Sequence, residues 1–377
     1  SVIPRGPQPM GFYEKAKLRT PIKSIRLASD VPEAERTPLQ LLRTDSTAFA
    51  EATEARRNRR DGWYVQPAGH IDVCNVPLPV RAAGERLVRI EASAVCGSER
   101  HDLLTGVDGN FGHEAAGVVA DADPGSPVAV GTRVGLYAVK GRAECGQCLR
   151  GRETMCERTP EILSGWHAEY AVVPVRCARP LADDIDAGVG AMMTGDPLGV
   201  PVRAARRAPS PVDGDVVVVG LGPVGLAHVL VRAFRGARVI GIEPSPFRRQ
   251  LALALGAQEV YAPGERDLTA ALVIECTGIA PVIEQSLALV ENGGVFLQSG
   301  ECADSVAIVP SEVLIHREVE LKGSWYYASE DYDTMKELVA DGLPLGRLAT
   351  HDVRAEDAQE AVTAFLEGAT GKVLVRW

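Results

Sequence analysis

The chain has 377 residues and a formal net charge of −10 at pH 7. This length suits two domains of ordinary size, and the negative charge argues against non-specific binding to nucleic acid or an anionic membrane. No apolar run reaches the ~18 residues that predict a membrane span. Residues 1–18 are broken by prolines and charges, unlike a signal peptide, so we expect a cytoplasmic globular protein.

The first sixty residues contain scattered prolines and no strong strand pattern. Ser46–Arg60 is predicted to form a helix, because Glu51 and Glu54 precede a basic run, in the order that suits the helix dipole. We interpret residues 1–60 as an N-terminal extension that serves as a surface appendage or oligomer contact. A basic arm for an anionic substrate is the alternative.

The rest of the chain shows two different patterns. From Trp63 to about Val175, short alternating segments are split by Gly and Pro, which predicts a small barrel-like β domain. From about Leu198, short apolar runs alternate with helical stretches, which predicts a doubly wound α/β sheet. Its predicted strands are Val216–Val219, Arg238–Ile242, Leu272–Ile274 and Val295–Gln298. Its predicted helices are Val224–Phe234, Phe247–Leu255 and Pro281–Val290.

A glycine-rich turn between strand and helix predicts a dinucleotide site. Gly220 allows the tight turn, Gly222 lets the backbone approach a pyrophosphate, and Gly225 lets the helix pack on the strand. The amides at the helix N-terminus would then face the phosphates. The residues predicted to bind the cofactor here are Gly220, Gly222, Pro223, Val224 and Gly225.

Glu243 follows Gly225 by 18 positions, at the end of the next predicted strand. A carboxylate at this point accepts hydrogen bonds from both ribose hydroxyls of NAD and repels the 2′-phosphate of NADP. The sequence therefore favours NAD.

The stretch from Cys96 to Glu114 contains a thiol, imidazoles and carboxylates. Thiolate and imidazole are ligand types that zinc prefers. A catalytic zinc takes three protein ligands and leaves one position open. Asp196 is our candidate for the ligand that this stretch does not supply.

Four motifs in their order resemble the zinc-dependent medium-chain alcohol and polyol dehydrogenases. They are Cys-Gly-Ser-x-x-His from Cys96, Gly-His-Glu-Ala-x-Gly from Gly112, Asp-Pro-Leu from Asp196, and the dinucleotide turn. The resemblance implies a GroES-like catalytic domain at 61–197 and 327–377 and a Rossmann domain at 198–326. The returning segment would hold helices Thr334–Asp341 and Ala355–Glu367 and a final strand, Lys372–Arg376.

The resemblance also implies residue roles. Cys96 and His113 match direct zinc ligands, and Glu114 matches a carboxylate that can approach the metal. Ser98 matches the hydroxyl that takes the substrate proton, and His101 matches the base that passes it to solvent. Histidine suits this relay because its pKa is near neutral.

Two acidic residues and one loop depart from the family pattern. Asp196 stands where polyol dehydrogenases usually have Glu, so an oxygen ligand favours a polyhydroxy substrate; direct ligation and ligation through water both stay open. Glu99 stands where the family commonly has an Asp that orients a ligand histidine. The loop Leu103–Phe111 is shorter than in the family, which indicates a wider cleft for a cyclitol or glycosylated polyol.

Further positions match the cofactor side of the family. Arg248 matches a basic position near the adenosine ribose and, with Arg249, leaves NADP as an alternative. Thr277 and Gly278 match a segment beside the nicotinamide. The stretch 325–327 either lines the cleft or belongs to the core.

A second cysteine cluster, Cys145-x2-Cys148-x7-Cys156, resembles the structural zinc lobe of the family, which normally has four cysteines. The missing position falls on Arg142. Structural zinc is almost always four-coordinate, so Glu144 or a residue distant in sequence would complete the site. We expect a bound structural zinc, and a metal-free lobe is the alternative.

Together these features predict a zinc-dependent, NAD-linked dehydrogenase that reversibly oxidises a secondary hydroxyl of a polyol, sugar or cyclitol. The family's bacterial members are commonly tetramers and some are dimers, which predicts a homo-oligomer. An NADPH-dependent zinc carbonyl reductase is the nearer alternative. A non-catalytic, cofactor-binding sensor is the alternative from another class.

Overall fold

The computed structural model describes residues 59–66, 69–106 and 110–377. The predicted helix Ser46–Arg60 lies outside these residues except for its last two positions. Arg59 and Arg60 belong to a strand, so the predicted helix end is wrong. The reason is pairing across a hairpin, in which Arg59 lies opposite Pro77 and Arg60 opposite Val76.

The strands of the described residues are β1 (Arg59–Gln66), β2 (His70–Pro77), β3 (Glu85–Val95), β4 (Ala115–Asp121), β5 (Arg133–Leu136), β6 (Val139–Lys140), β7 (Glu161–Ile162), β8 (Tyr170–Pro174), β9 (Ala178–Pro180), β10 (Asp215–Val219), β11 (Arg238–Ile242), β12 (Glu259–Tyr261), β13 (Ala270–Glu275), β14 (Val290–Gln298), β15 (Glu320–Gly323), β16 (Ala349–Arg354) and β17 (Lys372–Arg376). The α-helices are α1 (Arg100–Thr105), α2 (Gly146–Leu149), α3 (Ala187–Thr194), α4 (Asp196–Arg207), α5 (Pro223–Phe234), α6 (Pro246–Ala254), α7 (Ala280–Ser286), α8 (Tyr332–Ala340) and α9 (Ala358–Leu366).

Six parallel strands form one sheet in the order β12-β11-β10-β13-β14-β15. The valines of β10, Val216–Val219, are all buried, as expected for a parallel strand covered on both faces. The predicted doubly wound sheet is therefore confirmed. Some boundaries differ. The predicted helix Pro281–Val290 ends earlier and the predicted strand Val295–Gln298 starts earlier, because Val290 begins β14 and pairs with Ala270.

A second sheet has the order β16-β17-β3-β4-β5-β9, with β8 pairing on β3. The last two strands of the chain thus join strands from its first half, and β17 has the predicted bounds. The predicted domain limits stay a prediction. Helix α4 spans the predicted limit between residues 197 and 198. The fold class, a β domain with a Rossmann sheet, is confirmed.

A shared hydrophobic core connects the two sheets. One cluster of buried residues contains Val88 and Ile90 of β3 together with Val216 and Val218 of β10. The predicted zinc ligands lie at the end of β3, just before β4 and at the start of α4. Within the described ranges, no helix has the length and apolar character needed to cross a membrane.

Candidate active site and metal clusters

The Cys96 thiol is held at the end of β3 by the turn that follows it. The strand ends at Val95, and a 3-10 turn, Gly97–Glu99, leads into α1. The Glu99 side chain folds back, and its Oε2 accepts a hydrogen bond from the Cys96 N–H at 3.2 Å. Cys96 is buried, so this turn fixes a thiol inside the protein.

The structure brings the four predicted ligands together. One ligand atom from each of Cys96, His113, Glu114 and Asp196 lies within 4.8 Å of the others. Asp196 Oδ2 is 2.9 Å from Cys96 Sγ and 3.3 Å from His113 Nε2. His113 and Glu114 precede β4, and Asp196 begins α4. Residues far apart in sequence therefore converge on one point.

The acidic groups of this cluster are crowded. Burial, and then the charge of Asp196, raise the pKa of the Cys96 thiol to about 11. Burial also raises the pKa of Glu114 to about 7, against the opposing charge of Lys372. For Asp196, burial alone would raise the pKa, but hydrogen bonding to His113 lowers it. A cation among these groups would relieve the repulsion and favour the thiolate.

The donor set fits zinc. Zinc binds thiolate, imidazole and carboxylate at about 2.0–2.3 Å, which puts tetrahedral ligand atoms about 3.3–3.8 Å apart. Asp196 Oδ2 already lies 3.3 Å from His113 Nε2. Small side-chain adjustments would bring the Cys96 sulfur into the same shell. The buried, mixed S, N and O donors are those expected of a zinc site.

Lys372 forms a buried ion pair with Glu114. Its Nζ lies 2.8 Å from Oε1 and 2.7 Å from Oε2 of Glu114. Burial alone would lower the pKa of Lys372, but Glu114 and Cys96 raise it above its ordinary value. Register explains the contact, because Val373 pairs with Val95 and so brings Lys372 beside Cys96. The sequence prediction missed Lys372, since a lysine that opens a strand carries no motif.

Glu99 lies between two imidazoles. Its Oε1 is 3.3 Å from His113 Nδ1 and its Oε2 is 3.1 Å from His167 Nε2. Burial alone would raise the pKa of Glu99, but the charges and hydrogen bonds of His167 and His113 lower it. The sequence prediction gave Glu99 a histidine partner but missed His167. The only signal for His167 was its position in Gly165-Trp166-His167.

Ser98 and His101 lie on the same turn at the start of α1. Ser98 belongs to the 3-10 turn, and His101 is in the first turn of α1. Both are exposed, whereas Cys96 and Glu99 in the same segment are buried. The segment thus separates its buried donors from its exposed proton-transfer candidates. The roles of Ser98 and His101 stay a prediction.

The second cluster brings three thiols together without a fourth donor. Sulfur atoms of Cys145, Cys148 and Cys156 lie within 4.8 Å of one another, and no other Cys, His, Asp or Glu of the described residues joins the group. The structure does not bring Glu144, one of the two suggested sources of a fourth ligand, into this group. Its exposed carboxylate pairs instead with the Arg158 guanidinium at 3.3 Å.

The thiols of this lobe differ in environment. Hydrogen bonds from backbone groups, that of Cys148 first, lower the pKa of Cys145 to about 7. Burial raises the pKa of Cys148 to about 11. The backbone N–H of Arg142, at the missing cysteine position, points to Cys156 Sγ at 3.5 Å. The lobe therefore has one readily ionised thiol, that of Cys145. It also has a backbone N–H donor, that of Arg142, at the position where the family has its additional cysteine.

Ion pairs attach the lobe to the segment after β15. Glu330 Oε2 accepts from Arg152 of the lobe at 3.0 Å, and Glu330 Oε1 accepts from Arg203 of α4 at 2.6 Å. Glu153 accepts a hydrogen bond from the Ser329 backbone N–H at 3.1 Å. Hydrogen bonds to the Arg203 and Arg152 guanidinium groups lower the pKa of Glu330 despite opposition from its partial burial.

The glycine turn has the predicted geometry. Gly220 adopts φ +83°, a conformation that favours glycine. A side chain on Gly225 would collide with the Gly220 carbonyl oxygen, which explains the close helix packing. The α5 helix begins at Pro223 with Gly222 as its N-cap. The space above Gly222 is open except for the guanidinium of Arg248.

Two groups frame this turn. Glu243 is buried, and its Oε2 accepts a hydrogen bond from the Leu221 N–H at 2.7 Å while its Oε1 accepts from the Ser245 N–H at 3.0 Å. Arg248 donates from Nε to the Thr370 carbonyl at 3.1 Å. Burial lowers the pKa of Arg248, and Glu243 opposes that change. A carboxylate and a guanidinium group therefore both lie near the predicted ribose position.

The Glu275 carboxylate accepts hydrogen bonds from the backbone of the segment predicted to lie beside the nicotinamide. Its Oε1 accepts from the Thr277 N–H at 2.6 Å, and its Oε2 accepts from the Gly278 N–H at 3.1 Å. Gln298 donates to the same carboxylate at 2.6 Å. Sequence reasoning assigned no role to this buried acid, although a carboxylate that ends an apolar strand was a usable signal.

The aromatic stretch 325–327 is divided between core and surface. Tyr327 is fully buried and donates a hydrogen bond to the Thr194 carbonyl at 2.7 Å. Tyr326 is buried against Tyr137 and Tyr327, whereas Trp325 is partly exposed. The core interpretation is correct for Tyr327.

Comparison with known families matches two parts of the chain. Residues 82–183 match the model described as "Alcohol dehydrogenase GroES-like domain". Residues 223–341 match the model described as "Zinc-binding dehydrogenase". The two matched segments contain Cys96 and His113 in the first and Gly225 in the second.

Curated relatives cover most of the chain. The L-threonine 3-dehydrogenase of Chromobacterium violaceum is 29% identical over 345 residues, covering 83% of this chain and 98% of the relative. A protein named "Probable D-xylulose reductase A" from Aspergillus clavatus is 30% identical over 333 residues, covering 79% and 91%.

Solved structures share the fold. A protein described as a "short chain alcohol dehydrogenase" from Escherichia coli CFT073, in complex with NADH, has a TM-score of 0.76 at 20% identity, covering 85% of this chain and 100% of that one. A protein described as a zinc-binding dehydrogenase from Sinorhizobium meliloti 1021, bound to NADP, has a TM-score of 0.74 at 26% identity, covering 85% and 99%.

The motifs, the assembled donor cluster and these similarities agree. The chain belongs to the zinc-dependent medium-chain alcohol and polyol dehydrogenase family. It is an oxidoreductase that uses zinc and a nicotinamide cofactor.

Proposed function

We propose that the protein reversibly oxidises a secondary hydroxyl of a polyol, sugar or cyclitol to the ketone or lactone, with NAD as hydride acceptor. The observation that carries this proposal is the convergence of a thiol, an imidazole and a carboxylate, from Cys96, His113 and Asp196, within 4.8 Å. The names of the two curated relatives, a threonine dehydrogenase and a xylulose reductase, support a small hydroxylated substrate.

Cys96, His113 and Asp196 would hold the zinc. When bound in such a site, zinc lowers the pKa of a coordinated oxygen by several units. Glu114 is next to these ligands but is engaged by Lys372 at 2.8 Å. We therefore assign Glu114 a supporting role and leave the fourth coordination position to the substrate.

Ser98 and His101 would carry the substrate proton to solvent. The Ser98 hydroxyl takes the proton that leaves the substrate, and His101 passes it on. Imidazole is the side chain most often used for general acid–base proton transfer. The exposure of both residues on the turn after Cys96 supports this assignment.

Glu243 supports NAD as the cofactor. Each of its oxygens accepts one backbone hydrogen bond, and a carboxylate oxygen has a second lone pair for a ribose hydroxyl. Its negative charge would repel a 2′-phosphate. Arg248 next to Gly222 is the observation that favours the second candidate, an NADPH-dependent carbonyl reductase.

The other assignments follow from the family. The lobe of Cys145, Cys148 and Cys156 would bind a structural zinc whose fourth position is filled by water or by a rearranged side chain. We expect a homo-tetramer or homo-dimer in the cytoplasm. We keep the interpretation of residues 1–60 as an N-terminal extension, except that Arg59 and Arg60 pair with β2.

The first test is zinc content per chain, measured by elemental analysis on the native protein and on Cys96→Ala and Cys145→Ala. Two zinc ions falling to one in each variant would support both sites. One zinc lost only in Cys96→Ala would keep the enzyme and make the lobe metal-free. One zinc retained in Cys96→Ala would contradict the proposed active site and favour the sensor.

The cofactor assignment has its own test. Steady-state rates of xylitol and sorbitol oxidation with NAD and NADP would be compared for native protein and Glu243→Ala. We expect the native protein to prefer NAD and the variant to gain NADP use, because the carboxylate no longer repels the 2′-phosphate. A native preference for NADP would instead support the reductase. In that case Arg248→Ala is the matched variant and should lose the preference for NADP.

A further inference from the structure

Three hydrogen bonds and one ion-pair contact connect the indole of Trp377 to the proposed zinc ligand His113. Trp377 Nε1 donates to Ser93 Oγ at 2.8 Å, and Ser93 Oγ is 2.8 Å from His167 Nδ1. His167 Nε2 is 3.1 Å from Glu99 Oε2, and Glu99 Oε1 is 3.3 Å from His113 Nδ1. Ser93, His167 and Glu99 are all buried.

The donor and acceptor types of these groups set their roles. The Glu99 carboxylate can only accept, so His167 donates to it from Nε2. In a neutral imidazole Nδ1 then accepts from the Ser93 hydroxyl, whose oxygen accepts from the indole N–H. Glu99 Oε1 faces His113 Nδ1, which favours a proton on that nitrogen. The lone pair of His113 Nε2 is thereby left for a metal ion.

We propose that His167 is a positioning residue of the metal site. By donating to one oxygen of Glu99, it directs the other oxygen to His113 and fixes which nitrogen that histidine offers. The inference rests on the proposed zinc function of His113. It adds a second histidine, Ser93 and Trp377 to the usual pairing of a ligand histidine with a carboxylate.

The length of Glu99 fits this role. One glutamate reaches His113, His167 and the Cys96 backbone N–H, with contacts of 3.3, 3.1 and 3.2 Å. Two hydrogen bonds to Oε2 and the ion-pair contact of Oε1 with His113 hold the carboxylate between the two imidazoles. A departure from the family pattern at position 99 is therefore matched by a second imidazole that occupies the oxygen facing away from the metal ligand.

The surroundings of His167 fix its ring. The ring packs edge-on against Phe111 at 5.0 Å, and its backbone N–H donates to the Phe111 carbonyl at 3.1 Å. A side chain at position 112 would collide with the His167 ring, and Gly112 has φ +94°. The residue next to the ligand His113 is thus a glycine that His167 requires.

The test measures zinc loss from the holoenzyme to a chromogenic chelator. His167→Phe keeps a ring but cannot donate to Glu99, and we expect zinc to leave the Cys96 site about 10- to 100-fold faster, the range typical when such supporting groups are removed. His167→Gln retains an N–H donor and should recover part of the loss. Ser93→Ala should show a smaller acceleration in the same direction.

A matched control is His228→Phe. His228 is also a fully buried histidine, but it lies on α5, where its Nε2 contacts Ser299 Oγ at 3.1 Å. We expect its zinc release to equal that of the native protein. The cobalt-substituted protein gives a second measurement, since His167→Phe should shift the visible ligand-field bands and His228→Phe should not.

Zinc release from His167→Phe at the native rate, with unchanged cobalt bands, would overturn the positioning role while leaving the zinc enzyme intact. If His167→Phe does not fold, His167→Gln and Ser93→Ala decide: native release rates in both would also overturn it. Native protein that holds no zinc at Cys96 would instead overturn the proposed function, and the two failures are thus distinguishable.

Discussion

The two cysteine clusters of this protein differ in what surrounds their sulfur atoms. Around Cys96, an imidazole and two carboxylates share the site, and Lys372 balances part of the charge. Around Cys145, Cys148 and Cys156, three thiols meet with no further ligand side chain among the described residues. The first cluster lies inside the protein, and the second lies on a lobe attached by ion pairs through Glu330.

This difference separates two ways of building a metal site. The Cys96 site draws its ligands and supporting groups from distant parts of the chain, so its geometry depends on the whole fold. The lobe takes its three thiols from positions 145–156 and depends on a few local contacts. A substitution near Cys96 should therefore alter stability and metal binding together, whereas the lobe should tolerate changes with smaller effects.

The largest expected effect comes from Lys372→Met, which keeps the side-chain length but leaves Glu114 as a buried, unpaired carboxylate. Breaking one partner of a buried pair typically costs about 3–5 kcal/mol. We expect the free energy of unfolding, measured in urea, to fall by that amount. The control is Lys140→Met, beside the lobe. Lys140 Nζ pairs with Glu161 Oε2 at 3.0 Å, and the Glu161 side chain is half-exposed.

Lys140→Met should cost at most about 1 kcal/mol, as exposed ion pairs do. A loss below 1 kcal/mol in Lys372→Met as well would mean that Glu114 is not charged in the folded protein. The buried ion pair near Cys96 and the exposed ion pair beside the lobe would then contribute equally little to stability.

A smaller effect is expected from Glu330→Gln, which removes the charge that joins the lobe to Arg203. Hydrogen bonds to charged groups contribute about 1.5–3 kcal/mol. Because the folded pKa of Glu330 is lowered from an unfolded value near 4.3, its stabilisation is fully present above the unfolded value. It is lost as the pH falls through the folded value.

Urea unfolding of native protein and Glu330→Gln at pH 7, 5 and 3 would check this dependence. The difference in unfolding free energy should be similar at pH 7 and pH 5 and should shrink at pH 3. A difference that stays constant down to pH 3 would show that the carboxylate charge does not hold the lobe.

The smallest expected effect concerns metal exchange. A chelator should remove metal from the lobe about tenfold faster or more than from the Cys96 site, because supporting contacts commonly change metal affinity by 10- to 100-fold. Native protein and Cys145→Ala would be compared, so that the fast phase can be assigned to the lobe. Loss of both metals in one phase would remove the distinction between the two clusters.

Local motifs made part of this arrangement predictable. Cys96, His113 and the glycine turn from Gly220 to Gly225 each belong to a short motif with its own internal spacing, and the apolar runs of the Rossmann sheet repeat clearly. The predicted ligand Asp196 followed from a triplet that resembles the family. In each case the chemistry depends on neighbours in sequence.

The missed residues depend on tertiary pairing instead. Lys372 reaches Glu114 only through the register between β17 and β3, and no spacing in the sequence encodes it. His167 reaches Glu99 from the loop before β8. Glu144, proposed as a ligand because it is close in sequence, has an exposed carboxylate paired with Arg158. Nearness along the chain was a poor guide where the side chain had another partner.

The pairing of β17 with β3 has a consequence for how the site forms. Lys372 and Glu114 are 258 positions apart, and a slip of one residue in this antiparallel pair would turn Lys372 to the opposite face of the sheet. Long-range β pairing of this kind is intrinsically slow to form. A chain that has not yet placed residue 372 has crowded acids around Cys96 without their lysine. Stable, tight metal uptake should therefore require β17 to be paired with β3.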